Sequence, residues 1–290
     1  MTENTYQAVC EQGKKILHGA GIAESDREAR LMLEHVCGTT HADYYAHGDR
    51  LLTPGEQAQY GEMLRARAAR KPLAYLTGSM SFMGLDFFVD ERVLIPRQDT
   101  ETLVEEVRPH LFDGMRFLDL CTGSGCVALS LLRYSNDTHA LATDVSQDAL
   151  AVAKKNAGAL QLSDRIDFVC CDLFPDASYR PEKGFDLITA NPPYIASGVI
   201  ETLEDEVRVH EPRTALDGGE DGLSFYRRIL EEAGRWLIRG GFLFTEIGFD
   251  QEEAVKALYE RHGFSHVTGV RDLAGNPRVV YGALIKPAAS

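Results

Sequence analysis

The sequence predicts an α/β protein in which a seven-stranded doubly wound sheet follows a small N-terminal all-helical domain. Three observations carry this reading. Before residue 75, apolar residues recur at helical spacing. After Asp99, β-prone runs alternate with helix-like stretches, which is the pattern of a parallel sheet covered by helices on both faces. The first of those runs leads directly into a glycine-rich loop. With 290 residues the chain has room for two cores, given roughly 100–200 residues per domain. The expected boundaries are a helical domain over 1–75, a linker or hairpin over 76–98 and the sheet domain over 99–290.

The clearest early helix places Ala29, Met32, Leu33 and Val36 at i, i+3, i+4, i+7 and stops at Gly38. The next one opens with Thr53 as N-cap, Pro54 in its first turn and Glu56 completing a T-x-x-E capping box, and runs to the Lys71-Pro72 break. From Leu73 to Pro96 the pieces are short and β-prone, with Gly78 and Gly84 as punctuation. The sheet strands are expected at Arg116–Leu120, His139–Thr143, Ile166–Cys170, Phe185–Ala190, Gly241–Ile247, Ser265–Val270 and Arg278–Ile285. Between the second and third, Ser146 caps a helix whose Leu150, Ala153 and Ala157 share a face.

The composition excludes several classes. The N-terminus lacks the basic start and apolar run of a secretory signal, and no stretch approaches the ~20 apolar residues of a membrane span. A cytoplasmic protein with no membrane partner is expected. Cysteines at 10, 37, 121, 126, 170 and 171 form no C-x-x-C framework and read as free thiols; the vicinal Cys170 and Cys171 are assigned to strand-end packing, and no metal is expected. A net charge of -14 argues against direct nucleic-acid binding, which draws its affinity from Lys and Arg on phosphates. The local basic run Arg65, Arg67, Arg70 and Lys71 reads as a solvated helix face in preference to a docking patch.

The loop Asp119-Leu120-Cys121-Thr122-Gly123-Ser124-Gly125 follows the first sheet strand and opens a helix at Cys126. Cys121, Thr122, Gly123, Ser124 and Gly125 are therefore candidate cofactor contacts, the glycines permitting a sharp turn and close approach to a ligand. The next strand ends in Asp144, placed to accept ribose hydroxyl protons; the third is followed by Asp172, placed to reach the adenine end of the cofactor, and Leu173 or Phe174 can pack on the adenine ring. Gly123 to Ala128 also satisfies G-x-G-x-x-A, so the loop and Asp144 alone accommodate a nicotinamide dinucleotide equally well.

The fourth strand runs into Asn191-Pro192-Pro193-Tyr194. Isolated, the tetrapeptide is a rigid turn; beyond the carboxyl end of a strand, in company with the loop and the acids, it points at the cofactor. An amide nitrogen is a poor nucleophile because its lone pair is delocalised. The Asn191 side-chain oxygen and the Pro192 carbonyl can accept its two protons, aim the lone pair at a sulfonium methyl and stabilise the charge that develops. Pro192 and Pro193 hold those acceptors in extended geometry, and Tyr194 offers a flat face for a planar group. Asn191, Pro192 and Tyr194 are the catalytic candidates. Asn191 to Tyr194 together form the acceptor site.

These residues resemble the protein-glutamine methyltransferase family known as HemK or PrmC. The resemblance extends over Pro72 to Gly78, Ile95 to Glu101, the cofactor loop, Asn191 to Tyr194, Glu211-Pro212 and Arg271-Asp272-Leu273. It implies a class I methyltransferase sheet whose last strand is antiparallel, and S-adenosyl-L-methionine as methyl donor with S-adenosyl-L-homocysteine as product. It further implies that the acceptor is the glutamine of the Gly-Gly-Gln loop in class I peptide chain release factors. The N-terminal domain is expected to dock that partner, and a monomer is expected. Gly123, Gly125, Asp144, Leu173 and Asn191 match cofactor-contacting positions of the family. A ribosomal protein glutamine, or an amino group of adenine or cytosine in DNA, is the alternative acceptor. Two departures stand out: Cys121 replaces a more usual glycine, and Gln98 a more usual proline. Arg97 and Glu101 read as either site-facing or an ordinary surface pair.

Overall fold

The structure is a computed structural model describing residues 4–285. The chain divides into two compact units. One comprises the residues up to Ser79 together with Glu204–His210, the other Met80–Leu203 and the residues from Glu211 onward.

The first unit is helical: α1 (Tyr6–Gly19), α2 (Ser25–Cys37), α3 (His41–Ala46), α4 (Pro54–Ala68) and α5 (Leu73–Thr77). In α2 the predicted stripe buries Ala29, Met32 and Leu33, and the helix ends at Gly38 in the left-handed conformation, φ 61°. The Thr53–Glu56 capping box opens α4. The short α3 was not expected, although Thr40 and Asp43 form a capping box of their own. The start of the segment expected to be β-prone, Leu73–Thr77, is instead helical: Pro72 caps α5 at its start, Gly78 at φ 69° closes it, and Leu73 and Leu76 pack on the core of Tyr6, Leu17, Met32, Leu33, Tyr60 and Leu64. Burying each such side chain contributes on the order of 1.5–3 kcal/mol.

The basic run departs from its expectation at Arg67, which is buried at 3% exposure and not part of a solvated face. Its guanidinium pairs with both Glu28 and, at 2.8 Å, Glu206. A buried cation is tolerated only when paired in this way, and the partner Glu206 lies 139 residues away in the Glu204–His210 segment that joins this unit.

A hairpin of β1 (Ser79–Phe82) and β2 (Leu85–Phe88) follows, turning through Met83 and Gly84, both at positive φ as a type I′ turn demands. After α6 (Gln98–Val107) come β3 (Arg116–Leu120), α7 (Cys126–Arg133), β4 (His139–Asp144), α8 (Gln147–Ala159), β5 (Ile166–Cys170) and β6 (Phe185–Ala190). Beyond the short α9 (Asp205–Arg208) of the first unit follow α10 (Ser224–Trp236), β7 (Leu237–Glu246), α11 (Glu252–Arg261), β8 (Phe264–Arg271) and β9 (Pro277–Leu284).

The sheet order is β5-β4-β3-β6-β7-β9-β8. Every pairing is parallel except those of β9, which runs antiparallel to both β7 and β8. Alternation along β3 sends Phe117 to a core shared with Leu103, Val104 and Leu131, and Leu118 to the opposite core with Tyr226, Ile229 and Val255. Both faces are thus covered, as the near-continuous apolar strands require. Strand order reverses between β3 and β6, and it is at such a point that a crevice opens beyond the carboxyl ends of the strands.

Candidate functional site

A cleft of about 420 Å³ lies at that reversal. Cys121, Thr122, Gly123, Ser124, Asp144, Asp172, Leu173, Asn191 and Pro193 line it, so the ends of β3, β4, β5 and β6 converge on one space. Gly125, Pro192 and Tyr194 are not among its walls.

The loop after β3 is built for positive φ. Cys121 sits at φ 56°, Gly123 at 55° and Gly125 at 81°. A side chain on Gly123 would meet open space, so backbone conformation and not crowding requires glycine there. Gly125 is different: it caps α7, and a Cβ would press on Leu129 at 3.0 Å and Ala153 at 3.3 Å. Beneath the loop, buried Asp119 accepts from Thr122 at 2.6 Å and from its β6 partner Thr189 at 2.7 Å. Burial pushes the Asp119 carboxyl up to about 6 against those bonds.

Asp144 closes the loop against β4. One carboxylate oxygen accepts from the Gly123 amide and the other from the Ser146 amide, both at 2.9 Å. Burial raises its pKa while the backbone amides oppose the shift. Each oxygen retains a lone pair for a hydroxyl donor in the cleft. Asp172 is instead half out of the cleft, pairing with Arg228 at 2.7 Å. Leu173, at φ 65°, is buried and its carbonyl accepts from Thr143. Phe174 stacks on Trp236 with centroids 5.6 Å apart, and Phe225 is the aromatic ring that lines the cleft.

At the end of β6, the Asn191 side-chain nitrogen donates to the hydroxyl of buried Thr100 at 3.3 Å. Pro192 and Pro193 are both buried. The Tyr194 hydroxyl donates to Glu246 at 3.3 Å, and its main-chain oxygen accepts from Gln251 at 2.9 Å. The loop at Leu216–Gly222 clasps the tetrapeptide: Ile195 donates to Leu216, Gly218 donates to Ile195, and a Cβ on Gly218 or Gly222 would fall 2.8 Å or 2.4 Å from Tyr194 backbone atoms. The tetrapeptide is therefore held from both sides. Arg97 lines the cleft and pairs with buried Glu211, whose second oxygen accepts from the Ile95 amide. Arg97 and Glu101 are not a pair, since Glu101 accepts from the Met83 amide at 2.5 Å.

The PrmC N-terminal domain family matches residues 8–78, and the methyltransferase small domain family matches residues 97–220. The release factor glutamine methyltransferase of Agrobacterium fabrum is 38% identical over 282 residues, covering 95% of this chain and 96% of that protein. That of Caulobacter vibrioides is 41% identical over 271 residues, covering 93% of each. The chain belongs to the release factor glutamine methyltransferase family. Solved structures repeat the architecture. A methyltransferase from Pyrococcus furiosus matches with a TM-score of 0.53 at 19% identity over 81% of this chain and all of that one. The hMettl16 catalytic domain matches with a TM-score of 0.58 at 18% identity, over 89% of this chain and 94% of that one.

In this member of the family, several residues around the site carry no motif of their own. Thr100, Glu246, Gln251 and Asn156 are brought in by tertiary packing. Asn156, one turn from the end of α8, bonds both the Ser124 carbonyl at 2.9 Å and the Phe88 backbone, tying the glycine loop to the hairpin. A polar residue on the otherwise apolar face of α8 is the signal that could have revealed it. Among the described residues, no group of three or more His, Cys, Asp or Glu is arranged to hold a metal, and no helix is long and apolar enough to cross a membrane.

Proposed function

We propose that this chain transfers a methyl group from S-adenosyl-L-methionine to the side-chain amide nitrogen of the glutamine in the Gly-Gly-Gln loop of class I release factors. The donor set of the cleft fits that cofactor. Asp144 can take ribose hydroxyls, Leu173 and Phe225 offer apolar surface for a base, and the cleft volume is within the range of small-ligand sites. The cations along its wall are committed to acids: Arg92 to Asp90, Arg97 to Glu211 and Arg228 to Asp172. Asp119 and Asp144 leave a lining that favours a sulfonium over the pyrophosphate of a dinucleotide. When bound, the cofactor supplies an electrophilic methyl.

What supports the acceptor assignment most is the orientation of Asn191. With its nitrogen on Thr100, the carboxamide presents its oxygen as the free acceptor. Together with the Pro192 carbonyl it would take both protons of the glutamine amide, localise the nitrogen lone pair and stabilise the charge that grows there. Because Tyr194 and Gln251 lock the tetrapeptide, the acceptors need little reorganisation in the transition state. Methyl transfer needs no strong base, since the proton can leave after the methyl arrives.

The helical unit is the proposed docking element for the release factor. The deciding experiment supplies labelled S-adenosylmethionine with purified release factor, its Gln-to-Ala loop variant, a ribosomal protein and duplex DNA. Label on the release factor alone, lost in the loop variant, is expected. Label on the ribosomal protein or DNA would overturn the acceptor while keeping the methyltransferase.

A further inference from the structure

Glu246 ends β7 directly behind the tetrapeptide and is 1% exposed. One carboxyl oxygen accepts from the Tyr194 hydroxyl at 3.3 Å, while the other, Oε2, is buried with no hydrogen-bond partner. Buried polar atoms in native proteins are nearly always satisfied, so an orphan beside a reaction centre asks for an explanation. Thr100 lies on α6, which packs against β7, and its hydroxyl lowers the proton affinity of Glu246 while Oε2 is left without a hydrogen bond. That same hydroxyl accepts from Asn191 at 3.3 Å.

We propose that Glu246 is a positioning residue which, through the Thr100 hydroxyl, decides which end of the Asn191 carboxamide faces the acceptor amide. This rests on the reading of Asn191 as the acceptor-binding group. As a carboxylate, Glu246 takes the hydroxyl proton of Thr100, leaving a Thr100 lone pair for the Asn191 nitrogen and the Asn191 oxygen for the substrate. As a carboxylic acid it donates to Thr100, whose own proton then turns to the Asn191 oxygen, and the carboxamide offers its nitrogen to an amide that needs an acceptor. Interconversion releases one proton to solvent and breaks no covalent bond other than the carboxyl O–H.

The groups facing Glu246 come from every neighbouring element. Arg278 of β9 lowers its pKa, Asp99 of α6 raises it, and Tyr194 lowers it by donating. Tyr226 of α10 donates to the Glu246 main-chain oxygen at 3.0 Å, and Cys126 of α7 feels its charge. Burial outweighs them and pushes Glu246 up to about 7.

The test is kcat for methyl transfer to the release factor as a function of pH, with cofactor affinity measured separately by calorimetry. Wild-type kcat is expected to rise with pH and level off above about 7. Glu246→Gln donates to Thr100 at every pH, so kcat should fall ~10-fold or more and the limb should vanish, with cofactor affinity unchanged. Thr100→Val should do the same and Thr100→Ser should restore both rate and limb, which keeps the test decisive even where Glu246→Gln folds poorly. Wild-type rate and an intact limb in Glu246→Gln and Thr100→Val would overturn the proposal. If Asn191→Ala is inactive in that same series, only the role of Glu246 fails; if Asn191→Ala turns over normally, the acceptor reading fails first.

Discussion

The Asn191 side-chain nitrogen donates to the Thr100 hydroxyl across 3.3 Å, which commits one end of the carboxamide to the fold and leaves the other for a ligand. Removing the group should therefore cost the chemistry more than the cofactor. Asn191→Ala is expected to lower kcat by ~100-fold or more, the scale seen when one positioned transition-state partner is deleted. Cofactor affinity by calorimetry should stay near wild type. Near-normal turnover would refute the role given to Asn191.

Asp144 gives the converse pattern. Its two oxygens already hold the Gly123 and Ser146 amides, and each can still accept one hydroxyl proton. Losing hydrogen bonds to a charged acceptor is worth ~1.5–3 kcal/mol, or ~10–100-fold in affinity. Asp144→Ala should raise the cofactor Kd by that factor while kcat at saturation changes little. An unchanged Kd in a titration would remove Asp144 from the cofactor site.

Much of this site is legible in the sequence. β3, β5 and β6 begin and end where expected: β3 and β6 lie inside the sheet and are buried almost throughout, as parallel strands covered on both faces are, whereas edge strand β5 shows Asp167 and Cys170 to solvent. The glycine loop follows the end of β3, Asp144 ends β4 and Asn191 follows β6, all at the carboxyl edge of the sheet where ligands of such folds sit. Thr100, Glu246 and Gln251 were not legible. They reach the site from α6, β7 and the turn before α11, and nothing local in a Thr or a Glu says which distant hydroxyl it meets. Arg67 shows the same limit from the other side: four basic residues within seven positions look solvated, yet one is buried because Glu206 arrives from a remote segment. The α5 turn was misread because Leu73-Ala74-Tyr75-Leu76 is too short for its period to separate helix from strand.

Cys121 carries a side chain where the backbone asks for none. At φ 56° an L-residue other than glycine is strained by roughly 1–2 kcal/mol. Cys121→Gly should relieve that strain, and after the greater entropy of glycine in the unfolded chain is subtracted a gain of about 0.5–1 kcal/mol should remain. Cys121→Val, β-branched at positive φ, should lose more than 1 kcal/mol, roughly the strain scale itself. Chemical denaturation of both variants measures the two signs, and a destabilised glycine variant would show that thiol packing outweighs the backbone.

Glu246 makes the site expensive to fold at high pH. Its folded pKa of about 7 stands above the ordinary value of 4.5, chiefly through burial. For an acid raised in this way the folded state holds the proton more tightly, so its contribution to stability is greatest below 4.5 and is lost as pH rises through about 7. A gap of this size corresponds to about 3 kcal/mol between the two ends of the window. Glu246→Gln cannot ionise, so its unfolding free energy should exceed that of wild type at pH 8 by about 1–3 kcal/mol, with the difference shrinking towards pH 5. Urea denaturation at the two pH values measures this directly. A variant less stable at pH 8 would mean that the carboxylate is held by bonds strong enough to offset its burial; a variant more stable there, yet slower, would identify a charge kept for methyl transfer at the expense of the fold.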